Sequence, residues 1–138
     1  MTMTFAAISY KIKPGYEDEI AQIFAEFQRP DSPILHDEEG EETGVILATG
    51  LFIAGDRMFR VIQYEGDLND VARHMAVQAG VREAERRLQP YLAEPRDTET
   101  VEGFLRYFRN STMRCIQQLG VPTEMLRDIP EHLLARQP

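Results

Sequence analysis

The run 58–65, MFRVIQYE, carries two side chains that stand out chemically from their apolar surroundings, Arg60 and Tyr64. Because side chains of a strand alternate between its faces, both would share one face with Met58 and Ile62. A guanidinium in such a strand must be paired or must face a wet cavity. In a cavity, Arg60 would hold an enolate or phenolate oxygen and Tyr64 would donate or relay a proton. The competing explanation is an ion pair at a sheet edge or a subunit interface.

Four further polar residues are candidates for a site. His74 falls at the edge of the inward face of a predicted helix, where it would act as a base near neutral pH or simply be exposed. His36 lies in a loop that would form a lid or a solvated turn. Gln63 and Arg114 interrupt predicted strands, so we expect them to bind substrate if they reach a cavity. Each of the two also has an ordinary structural explanation.

The sequence signals neither a metal nor a cofactor. Its three histidines, His36, His74 and His132, lack ligand spacing, and Cys115 is its only cysteine, so we predict no metal site and no disulfide. We expect Cys115 to be a small buried hydrophobe. The sequence contains no G-x-S-x-G, H-E-x-x-H, P-loop or G-x-G-x-x-G motif. The predicted chemistry therefore depends on acid, base and hydrogen-bonding side chains alone.

Length and charge narrow the class of protein. The chain has 138 residues, of which 43% are hydrophobic, enough for one globular domain with a core. Its net charge of -8 argues against nucleic acid and anionic membranes as partners. No apolar stretch approaches the roughly 20 residues that span a bilayer. Residues 1–7 lack the features of a signal peptide. We therefore expect a cytoplasmic protein.

Hydrophobic periodicity predicts the elements that would position these residues. Strands are predicted over 4–13, 45–53 (with a bulge at Gly50), 58–65 and 112–119. One helix begins at Glu17 and ends near Pro30, and a second runs from Asp67 to Pro90 with an interruption at Gly80. Residues 29–43 are predicted to be a loop, 101–108 a short helix, and 124–127 and 131–136 weakly helical.

The order strand, helix, strand, strand, helix, strand is that of an α+β, ferredoxin-like βαββαβ domain. We assign it to residues 1–121, followed by a short C-terminal tail at 122–138. Both helices would cover one face of an antiparallel sheet. The other face also needs cover, so we expect a homodimer that packs sheet to sheet.

Several segments of the chain resemble the SchA/CurD-like family of aromatic polyketide (spore-pigment type) biosynthesis. They are FRVIQYEGDLNDVARHMA at 59–76, RPDSPILHDEEG at 29–40, PYLAEPRDT at 90–98 and RNSTMRCI at 109–116. More distantly, the chain is similar to tetracenomycin-type polyketide cyclases and to cofactor-independent monooxygenases of the dimeric α/β-barrel type. It departs from the cyclases at 27–28 and 56–57, so no catalytic residue is transferred from them.

The resemblance implies a role in type II aromatic polyketide biosynthesis, with an aromatic polyketide intermediate as ligand. A cofactor-independent cyclase or aromatase needs only a shaped pocket and one or two acid or base groups. A quinone-forming monooxygenase of the same pathway class and a non-enzymatic accessory subunit that contacts the synthase remain alternatives. The candidate catalytic residues are Arg60, Tyr64 and His74, and Gln63, His36 and Arg114 would bind the substrate.

Overall fold

The computed structural model describes residues 4–134 as an α+β fold with one four-stranded antiparallel sheet. The strands are β1 (Thr4–Lys11), β2 (Ile34–His36), β3 (Glu42–Ala54) and β4 (Arg57–Glu65). The helices are α1 (Glu17–Ala25), α2 (Leu68–Ala76), α3 (Ala79–Leu88), α4 (Val101–Ser111), α5 (Thr123–Leu126) and α6 (Glu131–Leu134), with a 3₁₀ turn at Gln89–Tyr91 after α3. The spatial order of the strands is β1-β4-β3-β2.

The two central strands form a tight hairpin that places Arg60 in the middle of the sheet. Gly55 adopts a φ of +60°, a left-handed conformation that glycine takes without strain, in the turn between β3 and β4. Arg60 is opposite Ile8 on one side and Leu51 on the other. The bulge in β3 lies between Ile46 and Ala48, so the prediction of a bulge at Gly50 was wrong.

The core fills the space between one sheet face and the helices. Alternate residues of β1 and β4, with Ile12 directly after β1, are buried there: Ala6, Ile8, Tyr10, Ile12, Met58, Ile62 and Tyr64. The Asp67 side chain caps α2 by accepting a hydrogen bond from the Asn69 amide at 2.7 Å. Arg60 lies opposite the buried Ile8, so its side chain is on the face of the sheet that the helices cover.

The second predicted helix is indeed two helices, but the break is at residues 77–78 and not at Gly80. Gly80 instead lies in the first turn of α3. A Cβ there would approach the Gln28 carbonyl oxygen to 2.4 Å. The glycine therefore allows α3 to pack closely against the chain that follows α1.

The predicted last strand was wrong. Residues 112–119 form no strand; Thr112 makes one isolated bridge to Ile8, and the Met113 amide donates to the Ala7 carbonyl at 2.7 Å. The fourth strand is instead the short β2, within residues predicted to be a loop. Beyond Met113, the contact with β1 that the structure shows is a side-chain one, in which the Phe5 amide donates to Gln118 Oε1 at 2.9 Å and no strand ladder forms. Cys115 is exposed in this segment, contrary to the expectation of a buried thiol.

The ferredoxin-like α+β class is nevertheless confirmed. Helices α5 and α6 occupy the predicted tail, although the predicted helical stretch to Arg136 ends outside the described residues. The division at residues 121 and 122 stays a prediction. Among residues 4–134, no helix has the length and apolar character required to cross a bilayer.

Candidate functional site

A small cavity lies between the sheet and the helices, at Arg60. Its polar lining is Tyr10 from β1, Arg60 from β4 and Glu85 from α3, and its apolar wall includes Phe24, Phe27 and Phe104. Its volume is about 10 Å³, which leaves room for about one water molecule. Three elements distant in sequence therefore bring a cation, a hydroxyl and a carboxylate together in an apolar enclosure.

Arg60 is half-buried and has a weak set of partners. Its Nε donates to the Tyr10 hydroxyl oxygen at 3.4 Å, and its Cζ lies 5.8 Å from the centroid of the Phe24 ring. It forms no ion pair with any residue between 4 and 134. The alternative of an ion pair at a sheet edge is thus not observed among these residues, and that of an ion pair at a subunit interface stays a prediction. A guanidinium held against an aromatic ring without a carboxylate is suited to receive an anionic oxygen.

A buried ion pair holds Glu85, one of the residues that line the cavity. Arg96 binds the Glu85 carboxylate, and both side chains are about nine-tenths buried. The Arg96 guanidinium stacks on Tyr107 at 3.9 Å and on Tyr10 at 4.8 Å from the ring centroids. Because Glu85 is matched by Arg96, the charge of Arg60 is the one left uncompensated in this cluster.

Tyr107, which stacks on Arg96, holds its proton tightly. Tyr107 donates its hydroxyl hydrogen to the Ser9 carbonyl at 3.2 Å, and burial raises the pKa of Tyr107 well above its ordinary value. The Tyr107 and Tyr10 rings are 5.8 Å apart. Tyr107 therefore acts as a rigid support for Arg96 and not as a source of protons.

Tyr64 shares the inward face with Arg60, as predicted, but does not line the cavity. The two residues are four positions apart on β4, about 13 Å along the strand. Burial, and secondarily the charge of Asp67, raise the pKa of Tyr64 above its ordinary value. The phenol remains protonated at neutral pH, so Tyr64 is a donor and not a base.

The two histidines lie together, away from the cavity lining. His74 is half-buried on α2, with its Nε2 3.4 Å from Gln78 Nε2. Burial lowers the pKa of His74, a backbone hydrogen bond to Ser32 opposes this, and the charge of His36 lowers the pKa further. His74 is therefore a neutral imidazole at pH 7, and its neighbours are the 32–36 segment and not Arg60.

The last two candidates also lie elsewhere. Gln63 is on the sheet face opposite to Arg60, because it alternates with Ile62 and Tyr64. Arg114 lines a separate groove between α2 and α4. The structure thus brings Arg60 to a cavity and disperses the other five predicted residues.

Four residues of the cluster were missed in the sequence: Tyr10, Glu85, Arg96 and Tyr107. Glu85 carried a detectable signal, since it falls at i+4 from Val81 and i−3 from Leu88 on an inward helical stripe. Tyr10 shares a face of the predicted first strand with Ala6, Ile8 and Ile12, and that face is apolar apart from its hydroxyl. Arg96 had no signal, because it comes from a loop whose position depends on the tertiary fold.

Comparison with known proteins shows which family this chain resembles. The profile of the SchA/CurD like domain matches residues 3–121. A "42.8 kDa protein in whiE locus" of Streptomyces coelicolor is 32% identical over 84% of this chain and 28% of its own length. "Polyketide synthase CurD" of Streptomyces cyaneus is 28% identical over 86% of this chain and 30% of its own length. The chain thus spans less than a third of the curated relatives it matches.

One solved structure shows the same fold. Tetracenomycin F2 cyclase from Streptomyces glaucescens, described as a type II polyketide cyclase, superposes with a TM-score of 0.52. The alignment covers 86% of this chain and 99% of the cyclase, at 17% sequence identity. At that identity the likeness concerns the fold alone.

Proposed function

This chain belongs to the SchA/CurD-like domain family, and on that basis we propose that it acts in aromatic polyketide biosynthesis as a cofactor-independent cyclase or aromatase. Its substrate would be a poly-β-ketone or a polycyclic intermediate derived from one. The observation that carries the proposal is the uncompensated Arg60 guanidinium in an apolar cavity, beside the Tyr10 hydroxyl and the Glu85 carboxylate.

Ring closure of a polyketone and the dehydration that follows require proton movements. A base removes a proton from a methylene between two carbonyls, and the resulting enolate carbon bonds to a ketone carbon. The alkoxide so formed takes up a proton. Removal of a second proton from the adjacent carbon and departure of the hydroxyl as water then form a C=C bond, and enolisation of the remaining ring ketones gives the aromatic ring. Arg60 would stabilise the enolate oxygen and Tyr10 would protonate the alkoxide. The Glu85 carboxylate would stay paired with Arg96, and a water molecule would accept the methylene proton.

Substrate entry requires movement, because pockets for such ligands measure hundreds of Å³ and this cavity holds about 10 Å³. Phe24 and Phe27 close the cavity at the end of α1, where the chain continues into a long connection to β2. We expect this connection to move away from α3 when substrate binds. The closed cavity also supports a second candidate, an accessory subunit of the synthase without catalysis of its own.

Reconstitution of a minimal aromatic polyketide synthase with and without this protein tests the proposal. Product masses would be followed by mass spectrometry. A cyclised or dehydrated product that depends on the protein supports the cyclase. A product that gains oxygen would replace it by the quinone-forming monooxygenase. A change in yield with unchanged product identity would leave the accessory subunit.

Arg60→Ala identifies the site within that assay. We expect the protein-dependent product to form about 10²–10³-fold more slowly, the cost of removing a preorganised oxyanion donor. Arg57→Ala is the matched control, since Arg57 lies on the same strand but is exposed. Equal rates for the folded Arg60→Ala variant and the wild type would show that the reaction does not use this cavity.

We also propose that the protein is a homodimer. The sheet face opposite to the helices exposes Phe5, Leu47 and Phe52, the last of them 60% exposed. The segment 115–134, the C-terminal arm, exposes seven more large apolar side chains: Ile116, Leu119, Val121, Met125, Leu126, Leu133 and Leu134. A second copy of the chain would bury these two exposed apolar surfaces in a dimer interface.

Light scattering coupled to size-exclusion chromatography tests this proposal. The wild type should elute at twice the chain mass, and Phe52→Asp should shift the equilibrium towards the monomer because a charge would be buried at the interface. Thr49→Asp is the control for a charge on the same strand, because Thr49 is exposed and lies opposite Ile62 on the other face of the sheet. A monomeric wild type at micromolar concentration would refute the dimer.

A further inference from the structure

A groove of about 760 Å³ between α2 and α4 is far larger than the cavity at Arg60 and lies within the size range of ligand sites. Residues of α2, α4, the segment 112–114 and Glu38 line it. Neither the family comparison nor the proposed reaction assigns it a role.

The rim of the groove carries unpaired positive charge. Arg73 is committed to acidic partners, because its guanidinium binds Asp70 at 2.9 Å and Glu38 at 3.4 Å. Arg109 and Arg114 are exposed, and neither forms an ion pair with any residue that the structure describes. Two unpaired guanidiniums at one groove are notable in a chain of net charge -8.

The floor of the same groove is apolar. Its residues are Leu68 and Ala72 from α2, Leu105 and Phe108 from α4, and Met113. A small hydrated anion would contact only the arginines. A ligand that joins an anionic group to a hydrocarbon chain would contact both the arginines and the apolar residues. Arginine forks match the planar oxygens of carboxylate and phosphate groups.

The groove also continues towards the cavity. On α2, Ala72 lines the groove and Met75, three residues later, lines the cavity. On α4, Phe108 lines the groove and Phe104, four residues earlier, lines the cavity. One helical turn, about 5.4 Å, separates the two sets of lining residues on each helix.

We propose that this groove binds an amphipathic anion, with its oxyanion at Arg109 and Arg114 and its apolar chain along Leu105 and Met113. In the context of the proposed function, the ligand is an acyl chain whose far end bears a phosphate or a carboxylate. That identification rests on the proposed function, but the binding site itself does not.

Isothermal titration calorimetry on the full chain tests the site, with dodecyl phosphate and dodecanoate as probes below their micellar concentrations. We expect one molecule of at least one probe to bind, with an affinity that falls as salt is added. The double variant Arg109→Ala/Arg114→Ala should lose at least about tenfold, since each contact is a charge-assisted hydrogen bond. The two probes distinguish the phosphate from the carboxylate as the preferred group.

Three controls make the result decisive. Arg106→Ala, an exposed arginine of α4 outside the groove lining, should bind as the wild type does. Inorganic phosphate and the uncharged dodecyl maltoside should each bind at least tenfold more weakly than the better probe. The proposal is overturned if the double variant binds like the wild type, or if either of these compounds binds as tightly as the charged probe.

The outcome is independent of the reaction at Arg60. Arg60→Ala should leave probe binding unchanged, because Arg60 is not in the groove lining. If the cyclase assay fails and the probe still binds, the groove remains a binding site. If the cyclase assay succeeds and the probe does not bind, the proposed reaction remains and the groove has no part in it.

Discussion

Breaking the buried ion pair between Glu85 and Arg96 should destabilise the protein more than any other single charge removal on α3. Glu85→Gln keeps the shape of the side chain but leaves the Arg96 guanidinium buried without a counter-charge. The Nε of Arg96 already lacks a hydrogen-bond partner, so the group has little other compensation. Both side chains are about nine-tenths buried, so solvent screens the loss only weakly.

The magnitude follows from this burial. Removing one partner of a buried pair costs about 3–5 kcal/mol of the free energy of unfolding. At the usual unfolding entropy per residue, a domain of this length loses roughly 3–4 °C of midpoint for each kcal/mol. We therefore expect Glu85→Gln to lower the thermal midpoint by roughly 9–20 °C.

A double variant separates the lost charge from the lost packing. Arg96→Met retains an apolar stem between Tyr10 and Tyr107 and removes the orphaned charge. Glu85→Gln/Arg96→Met should therefore be more stable than Glu85→Gln. Its remaining cost is about 1–2 kcal/mol, mainly the two lost cation–π contacts.

Urea denaturation followed by circular dichroism measures these differences at constant temperature. Glu83→Gln is the matched control, because Glu83 pairs with Arg86 on the exposed side of the same helix, and its midpoint should match the wild type. The reasoning is refuted if Glu85→Gln costs less than about 1 kcal/mol, or if the double variant is less stable than Glu85→Gln.

Two further predictions concern the region around the cavity. Gly80→Ala should destabilise the protein by about 1–3 kcal/mol, since its Cβ would meet the Gln28 carbonyl oxygen, whereas Gly120→Ala meets nothing within 4 Å and should be neutral in the same urea titration. Burial lowers the pKa of His74 in the folded chain. Below the ordinary histidine pKa of 6.5, the unfolded chain therefore binds more protons than the folded one. His74 thus lowers the free energy of unfolding as the pH drops below 6.5 and does not change it above that pH. His74→Gln should lose less stability than the wild type between pH 7 and 5, and parallel pH profiles of the two urea midpoints would contradict this.

Local sequence patterns were sufficient to predict which residues of a strand or helix share one face. The alternation in β1 and β4 placed Ile8, Tyr10, Met58 and Ile62 on the core side, where they are buried. The same alternation placed Arg60 inward. These predictions succeeded because strand and helix periodicity is a property of a few consecutive residues.

Prediction failed where pairing partners are distant. The run 112–119 has the composition of a strand, but only Thr112 bridges to β1. The short β2 was predicted to be a loop because three residues have no readable period. A strand exists only when a neighbouring edge meets it in register, and that edge is supplied by the tertiary fold.

The same division applies to the site. By itself, the sequence indicated an inward arginine in the third predicted strand, the absence of common catalytic motifs and the family resemblance. Only the tertiary structure showed that Arg60 lies near Tyr10, Glu85, Arg96 and Tyr107. It also showed that His74 lies outside the lining of the cavity. The physical reason is that a loop residue such as Arg96 is positioned by the charge and rings it packs against, which lie on β1, α3 and α4 and leave no periodic trace along the chain.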